Sequence, residues 1–447
     1  MVNINKNHKK IYIKTYGCQM NSYDSDRILE LFNNHGYTVT NDYEDANLVI
    51  LNTCHIREKA SEKVYSELGR INVIKSKAEK NMIIAVAGCT AQAEGDQIIK
   101  RAPYVDVVVG PQSYHNLPEL VKKTEINKLD NKVHLDFIEE KKFDFLPEER
   151  NNNYSVTAFL SVQEGCDKFC TYCVVPYTRG NEFSRPASKI IAEAKTLIDS
   201  GVKEITLLGQ NVNAYHGQDQ NGKIVNLGEL IFKLNELDGL ERIRYTTSHP
   251  SDMHDMLYEA HASCYKLMPF LHLPVQSGSS KILKLMNRKH KAEDYLKTIK
   301  KLRIAREDLA FSSDFIVGFP GETEEDFQAT LDLVKEVKYA QCYSFKFSAR
   351  PGTPATNMPD QIDEATKSER LTRLQAILKQ QQYDFNKTFI NKEVNILFER
   401  YDDNNLIGRS PYLQPVLVDY QAEYYKKILP VKIYKAGPHN LKGKVLC

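Results

Sequence analysis

The sequence lacks any apolar run long enough to span a bilayer. Its polar, basic first ten residues lead into no apolar stretch of signal-peptide type. A cytoplasmic protein with no membrane association is therefore expected. The chain also lacks a Walker loop, an H-E-x-x-H string and a G-x-S-x-G elbow, so the corresponding hydrolase chemistries have no foothold. It lacks a dominant charge sign: 60 Lys and Arg stand against 58 Asp and Glu. Overall charge thus argues neither for nor against a nucleic-acid partner, whose footprint would be a local patch. What remains is a soluble composition, 42% hydrophobic and 26% charged, over 447 residues, enough for two or three domains.

Nine cysteines are present, and in a reducing compartment they argue for metal or redox chemistry over disulfides. Three of them lie in Glu164-Gly165-Cys166-Asp167-Lys168-Phe169-Cys170-Thr171-Tyr172-Cys173. This C-x3-C-x2-C run supplies three thiolates and no fourth; the next candidates, Cys264 and His216, are remote in sequence. Structural zinc is closed by four protein ligands. Three soft ligands suit a cubane iron–sulfur cluster with one iron left open. A zinc knuckle or a chance group of buried cysteines is the plainer alternative. Cys264, Cys342 and Cys447 read as small buried or terminal side chains.

A second triad is dispersed. Strand-like segments at 11–17, 47–53 and 81–88 run into Cys18, Cys54 and Cys89, which are 36 and 35 residues apart. Helical patterns at 22–34 and 58–76 lie between them. Near-continuous apolar strands alternating with helices predict a parallel sheet covered on both faces. All its C-terminal strand ends then share one edge, where open α/β sheets bind ligands. Three thiolates can meet there, again one short of four. The plainer alternative is cysteine ending buried strands by chance.

The charged, Asn-rich stretch 139–155 reads as a linker between an N-terminal domain (1–138) and a central one (156–382). In the central domain six candidate strands, 159–165, 204–210, 242–248, 270–276, 311–318 and 340–347, alternate with helices. They predict a partial (βα)6 barrel with Cys166, Cys170 and Cys173 after its first strand, at the mouth where barrel active sites lie. Gln210, Gln276 and Gly318 end later strands on that rim and are candidates to line the pocket. Ser279 and Thr323 suit helix caps, and His249 suits acid–base work or a satisfied structural role equally. Arg179 and Arg185, just past the cysteine loop, suit phosphate recognition, against the commoner fate of structural salt bridges. The remainder, 383–447, has short strand-like runs and reads as a small β-barrel, a shape often used on nucleic acids. It carries Lys426, Lys427, Lys432, Lys435, Lys442 and Lys444, with no acidic residue after Glu423.

The fold class expected is therefore α/β: an N-terminal parallel α/β sheet domain, a central partial barrel and a small C-terminal β-barrel. The C-x3-C-x2-C run resembles that of the radical S-adenosylmethionine enzymes. Its flanks, Lys168-Phe169-Cys170-Thr171-Tyr172-Cys173, resemble the methylthiotransferase branch, as do Thr15-Tyr16-Gly17-Cys18, Asn52-Thr53-Cys54 and Ala87-Gly88-Cys89. Ala436-Gly437-Pro438-His439-Asn440-Leu441-Lys442-Gly443 resembles the closing segment of the TRAM RNA-binding domain. The resemblance implies two 4Fe-4S clusters. One, on Cys166, Cys170 and Cys173, cleaves S-adenosylmethionine to a 5′-deoxyadenosyl radical; the other, on Cys18, Cys54 and Cys89, presents the sulfur to be inserted. With S-adenosylmethionine as the ligand, the rim positions Gln210, Gln276 and Gly318, together with Tyr172, are expected around it, Arg179 and Arg185 are candidates toward substrate, and no catalytic side chain is expected beyond the cluster ligands.

Thr246-Thr247-Ser248-His249-Pro250 and Cys173-Val174-Val175-Pro176-Tyr177-Thr178-Arg179-Gly180 look like the branch acting on isopentenyladenosine in tRNA. Such tRNA and a flavodoxin-type electron donor are the implied partners, and a monomer is the default expectation. A branch acting on a ribosomal protein and a non-catalytic RNA-binding protein stapled by metal are the competing readings.

Overall fold

Valine, isoleucine and leucine in unbroken runs make a sheet that is covered on both sides. Six parallel strands form it: β1 (Lys9–Thr15), β2 (Tyr37–Val39), β3 (Leu48–Thr53), β4 (Ile83–Gly88), β5 (Val107–Val109) and β6 (Val133–His134). Their order is β2-β1-β3-β4-β5-β6. β3 and β4 are buried at every position, because alternate residues serve different layers. Leu48, Ile50, Ile83 and Ala85 pack with Ile28 and Phe32 of the helix Gln19–Asn33 and with Leu117 and Val121 of Leu117–Glu125. Val49, Leu51, Ile84 and Val86 pack with Val64, Leu68 and Ile71 of Glu58–Lys77. The strand order reverses between β1 and β3, the switch point at which such sheets open a ligand crevice.

The computed structural model describes residues 9–54, 58–77, 81–137, 142–143, 145–147, 155–402 and 404–446. It divides into two units. The first is Met1–Asn151 with Glu164–Asp167 and Val174–Phe183; the second is Asn152–Gln163, Lys168–Cys173 and Ser184–Cys447. Much of the expected linker (139–141, 144 and 148–154) lies outside the described residues. Lys142, within it, is fully buried in the first unit.

In the second unit the six strands appear at the expected places, the first starting two residues earlier than expected, the fifth of equal length and the others shorter. They form two parallel three-stranded sheets. One has the order Arg242–Tyr245, Glu204–Leu208, Thr157–Ser161; the other Phe270–His272, Ala310–Val317, Gln341–Lys346. A parallel bridge between Ile243 and Leu267 links them into a partial barrel. Ser279 and Thr323 are indeed caps, accepting from Ile282 N and Asp326 N. The helix Glu364–Lys387 then runs through the boundary expected at 382. No helix among the described residues is long and apolar enough to cross a membrane.

The C-terminal barrel is closed by five strands in the order Glu393–Tyr401, Asn405–Arg409, Pro415–Asp419, Leu441–Val445, Ile428–Ala436. Two buried arginines hold it to the partial barrel. Arg242 donates to Arg409 O (3.0 Å) and Asn395 O (2.7 Å). Arg244 donates to Pro411 O (2.8 Å) and Ser410 O (3.0 Å). Their charge is met by buried Glu204, 3.0 Å from Arg244 and 3.7 Å from Arg242.

Candidate functional site

The switch-point crevice of the first unit is where the dispersed cysteines lie. β1, β3 and β4 are hydrogen-bonded neighbours, with Thr53 opposite Gly88. Cys54 and Cys89 therefore leave the sheet side by side, and Cys18 ends the loop after β1. Cys18 caps the helix Gln19–Asn33 and Cys89 opens the helix Cys89–Glu94, the positions at which a helix dipole favours thiolate. The Cys18 thiol also contacts Asn21 Oδ1 at 3.2 Å. Its pKa is drawn down to about 6, chiefly by a hydrogen bond with Cys54 and, against burial, by the nearby Arg179 charge. Burial pushes the Cys89 thiol up, with Arg179 opposing.

No three His, Cys, Asp or Glu side chains among the described residues converge closely enough to chelate a single ion. A cubane, which takes its protein ligands on separate irons, asks instead for thiolates spread around a space. The backbone makes that space. At Gly17, φ +133°, a Cβ would lie 2.3 Å from Cys54 Cβ; at Gly88, φ +91°, it would lie 2.4 Å from Thr53 O. The donor set and this cradle fit a cluster on Cys18, Cys54 and Cys89. Gly17→Ala is expected to push Cys54 aside and lose iron after reconstitution, at a stability cost above ~1 kcal/mol. Iron analysis beside denaturant unfolding checks this, and full iron retention would refute it.

Behind the triad sits a buried charge network. Arg179 pairs with Asp24 (2.6 Å) and Glu164 (2.5 Å), and Lys142 with the same two carboxylates at 3.4 and 2.6 Å. All four side chains are at most 3% exposed. In the second unit, Arg185 donates to Ser161 O (2.5 Å) and pairs with Glu193 (2.7 Å). Both guanidiniums are buried with internal partners, the structural salt bridges that the sequence reading set against phosphate recognition.

The compact cysteine loop divides between the units. Cys166 lies in the first, its N–H donating to Gly180 O (3.2 Å). Cys170 and Cys173 lie in the second, joined by a turn in which Cys173 N donates to Cys170 O (2.9 Å). That turn is gripped by a segment the sequence reading passed over, Met286-Asn287-Arg288-Lys289-His290. Asn287 donates to Phe169 O (2.9 Å), and Thr171 donates to Leu285 O and Met286 O. Arg288 Nη1 stands 3.9 Å from Cys170 Sγ. A cation beside the Cys170 sulfur and a turn fixed by Asn287 and Thr171 suit cluster ligands at Cys170 and Cys173. The available signal was polar Asn, Arg and His between two amphipathic helices.

Around the mouth, Tyr172 is half-buried, edge-on to Phe319 (6.5 Å) with Met286 and Phe347, and desolvation raises its pKa strongly. Gln276 is buried at φ +80°, bridged to Phe315. Gly318 is at φ +68°, where a Cβ would meet Lys367 Cγ at 2.3 Å. Gln210 follows the strand Glu204–Leu208, on the rim of the other sheet. His249 accepts from Ser251 N on Nδ1, and its ring meets His290 edge-on at 5.4 Å. His249 Nε2 and both His290 nitrogens are buried without a hydrogen-bond partner among the described residues. Burial, then the Arg288 charge, holds both neutral, His290 down to about 3. Both surroundings therefore disfavour the imidazolium form.

Glu322 ties this rim to the long helix, accepting from Gly318 N (2.6 Å) and pairing with Arg370 (2.9 Å). Burial raises its pKa to about 7, opposed by those two partners. A folded-state pKa above the unfolded one means stability present at low pH and lost as pH rises through about 7. Between pH 4.5 and 7.5 the wild type should lose up to about 3 kcal/mol more than Glu322→Gln, which cannot ionise. Urea titrations at the two pH values check it; parallel curves would refute it.

On the C-terminal barrel the lysines form a stripe. Lys432 is opposite Lys444 and Lys435 opposite Lys442, all exposed on the outer face. Exposed Tyr401 and Tyr420 pack at 5.4 Å, with Tyr425 5.5 Å from Tyr401. Lys426 Nζ lies over the Tyr425 ring, 5.6 Å from its centroid, and rings with a lysine beside them suit a stacked, phosphate-bearing strand.

Comparison with known proteins bears on all three regions. Residues 10–110 match the model of "Uncharacterized protein family UPF0004", and 160–334 that of the radical SAM superfamily. A tRNA-2-methylthio-N(6)-dimethylallyladenosine synthase of Wolbachia pipientis subsp. Culex pipiens (strain wPip) is 56% identical over 440 residues, 97% of this chain and 99% of that one. The chain belongs to the radical S-adenosylmethionine methylthiotransferase family. A methylthiotransferase-family relative of the same printed name from Rickettsia canadensis (strain McKiel) is 55% identical over 98% of this chain and 99% of its own. Among solved structures, the radical S-adenosylmethionine methyltransferase TsrM from Kitasatospora setae, with cobalamin and a [4Fe-4S] cluster bound, aligns at TM-score 0.59. It is 12% identical and covers 78% of this chain and 77% of its own, a likeness of fold. As a methylthiotransferase of this kind, the chain requires S-adenosylmethionine and iron–sulfur chemistry.

Proposed function

We propose that this methylthiotransferase replaces the hydrogen on carbon 2 of N6-isopentenyladenosine in tRNA with a methylthio group. The observation that carries the reading is the pairing of two cysteine triads, each one ligand short of a closed metal site, in a chain whose full-length relatives bear that activity's name. When bound, a cluster at the loop triad supplies the electron that cleaves S-adenosylmethionine, and one at the strand-end triad supplies the sulfur. The chain's own residues do the holding. Cys166, Cys170 and Cys173 ligate the first cluster, and Cys18, Cys54 and Cys89 the second. Tyr172, Gln210, Gln276 and Gly318 shape the S-adenosylmethionine pocket, and the neutral pair His249 and His290 offers it uncharged polar atoms. The lysine stripe and tyrosines of the C-terminal barrel meet RNA. A single-stranded loop exposes the base that chemistry at carbon 2 requires.

Residues 1–138, 156–382 and 383–447 serve as sulfur-donating, radical-generating and RNA-holding parts. A flavodoxin-type protein donates electrons, and the enzyme works as a cytoplasmic monomer. Nucleoside mass spectrometry tests the reading, after anaerobic reaction of reconstituted protein with S-adenosylmethionine, a reductant and tRNA bearing isopentenyladenosine. A nucleoside heavier by one methylthio group in place of hydrogen is expected. Formation of 5′-deoxyadenosine without it, with both clusters intact, would overturn the substrate assignment.

A further inference from the structure

The surroundings of Arg179 say what it does. Gln112 Nε2 fixes its carbonyl at 2.9 Å, and its short helix Val175–Arg179 packs on the helix that Cys89 opens. The guanidinium gives one nitrogen to Asp24 and another to Glu164. An arginine carries five N–H donors, so these partners leave donors over. That packing, and the bond to Asp24 on the helix that Cys18 caps, set the guanidinium on the side of Cys89 and Cys18, and its charge draws both thiols down. Asp24 acts on Cys89 with the opposite sign and more weakly than Arg179 does. Cys18 and Cys89 thus meet the positive end of a buried, charge-balanced network.

We propose that Arg179 is a positioning residue for the strand-end cluster, fixing Cys89 and setting the cluster's reduction potential through a cation held against its ligands. This rests on the assignment of Cys18, Cys54 and Cys89 as cluster ligands. Three thiolates make a cubane site anionic, and one-electron reduction adds a further negative charge. A fixed cation beside the ligands stabilises the reduced form more than the oxidised one, and hydrogen bonds to the ligand sulfurs act in the same direction. Arginine suits the position because it stays charged when buried, where a lysine could shed its proton.

The test uses full-length protein in which Cys166, Cys170 and Cys173 are replaced by alanine, so that only the strand-end triad is left. It is reconstituted with iron and sulfide and titrated under EPR. The charge-balanced double variant Glu164→Gln/Arg179→Gln is expected to shift the potential negative. Arg179→Lys, which keeps the charge but loses the planar fork, should shift it negative by less, and it covers failure of the double variant to fold. Glu164→Gln alone should shift it positive, a sign pattern that a merely structural role would not produce. Unchanged potentials in both Arg179 variants, with iron content near that of the parent, would overturn the inference and leave the cluster assignment standing. A parent protein that retains no iron would overturn both.

Discussion

Replacing Cys170 with alanine is expected to abolish release of 5′-deoxyadenosine from S-adenosylmethionine, down to the detection limit. Cys170 is the buried member of its loop, with Arg288 Nη1 3.9 Å from its sulfur. Its loss leaves a cluster on two thiolates and an arginine facing none. Cys54→Ala should behave differently. Cys54 follows the strand Leu48–Thr53 of the other unit, outside the cysteine loop to which Cys170 belongs. Cleavage of S-adenosylmethionine should therefore continue while the methylthio nucleoside disappears. Liquid chromatography of 5′-deoxyadenosine and mass spectrometry of digested tRNA, run on the same samples, separate the two losses. Sulfur insertion retained in Cys54→Ala would sink the assignment of the strand-end triad, and cleavage retained in Cys170→Ala that of the loop.

The second large effect is expected at Arg244. Its alanine variant loses two hydrogen bonds to backbone carbonyls of the C-terminal barrel and leaves Glu204 buried, with Arg242 at 3.7 Å as its remaining cationic partner. Removing one member of a buried pair costs about 3–5 kcal/mol, because the stranded charge stays in a poorly solvated place. A drop of that size should appear in denaturant unfolding. If the barrel holds RNA, the KM for tRNA should rise while cleavage of S-adenosylmethionine without tRNA is unchanged. A loss below about 1 kcal/mol would mean water reaches Glu204 freely, as at a surface pair.

The placement of Cys18, Cys54 and Cys89 at the ends of neighbouring strands was legible in the sequence because it recurs once per βα unit. The six barrel strands were legible for the same reason. Strands of two or three residues, β2, β5 and β6, were too short to show a pattern. Asn405–Arg409 was hidden by its polar ends, and Leu441–Val445 because lysines alternate with its buried positions. The partners of the arginines were not legible because nothing local reveals them: Asp24 is 155 residues from Arg179 in sequence. The grip of Asn287 and Arg288 on the cysteine turn likewise joins positions more than a hundred residues apart. Periodicity travels along a chain and can be read there, whereas buried charge pairing is a property of the folded neighbourhood.

The interleaving of the two units has a consequence for how such a protein can be cut, fused or shuffled. Glu164–Asp167 and Val174–Phe183 complete the first unit, although both follow the Asn-rich stretch that looks like the natural seam. A gene fragment stopping at that seam leaves Arg179 and Glu164 behind, and Asp24 keeps only Lys142, at 3.4 Å. The N-terminal portion is therefore no detachable cassette. Chimaeras should carry the crossover beyond residue 183, and an enzyme nicked between Cys173 and Arg179 should behave as a damaged whole, not as two working halves.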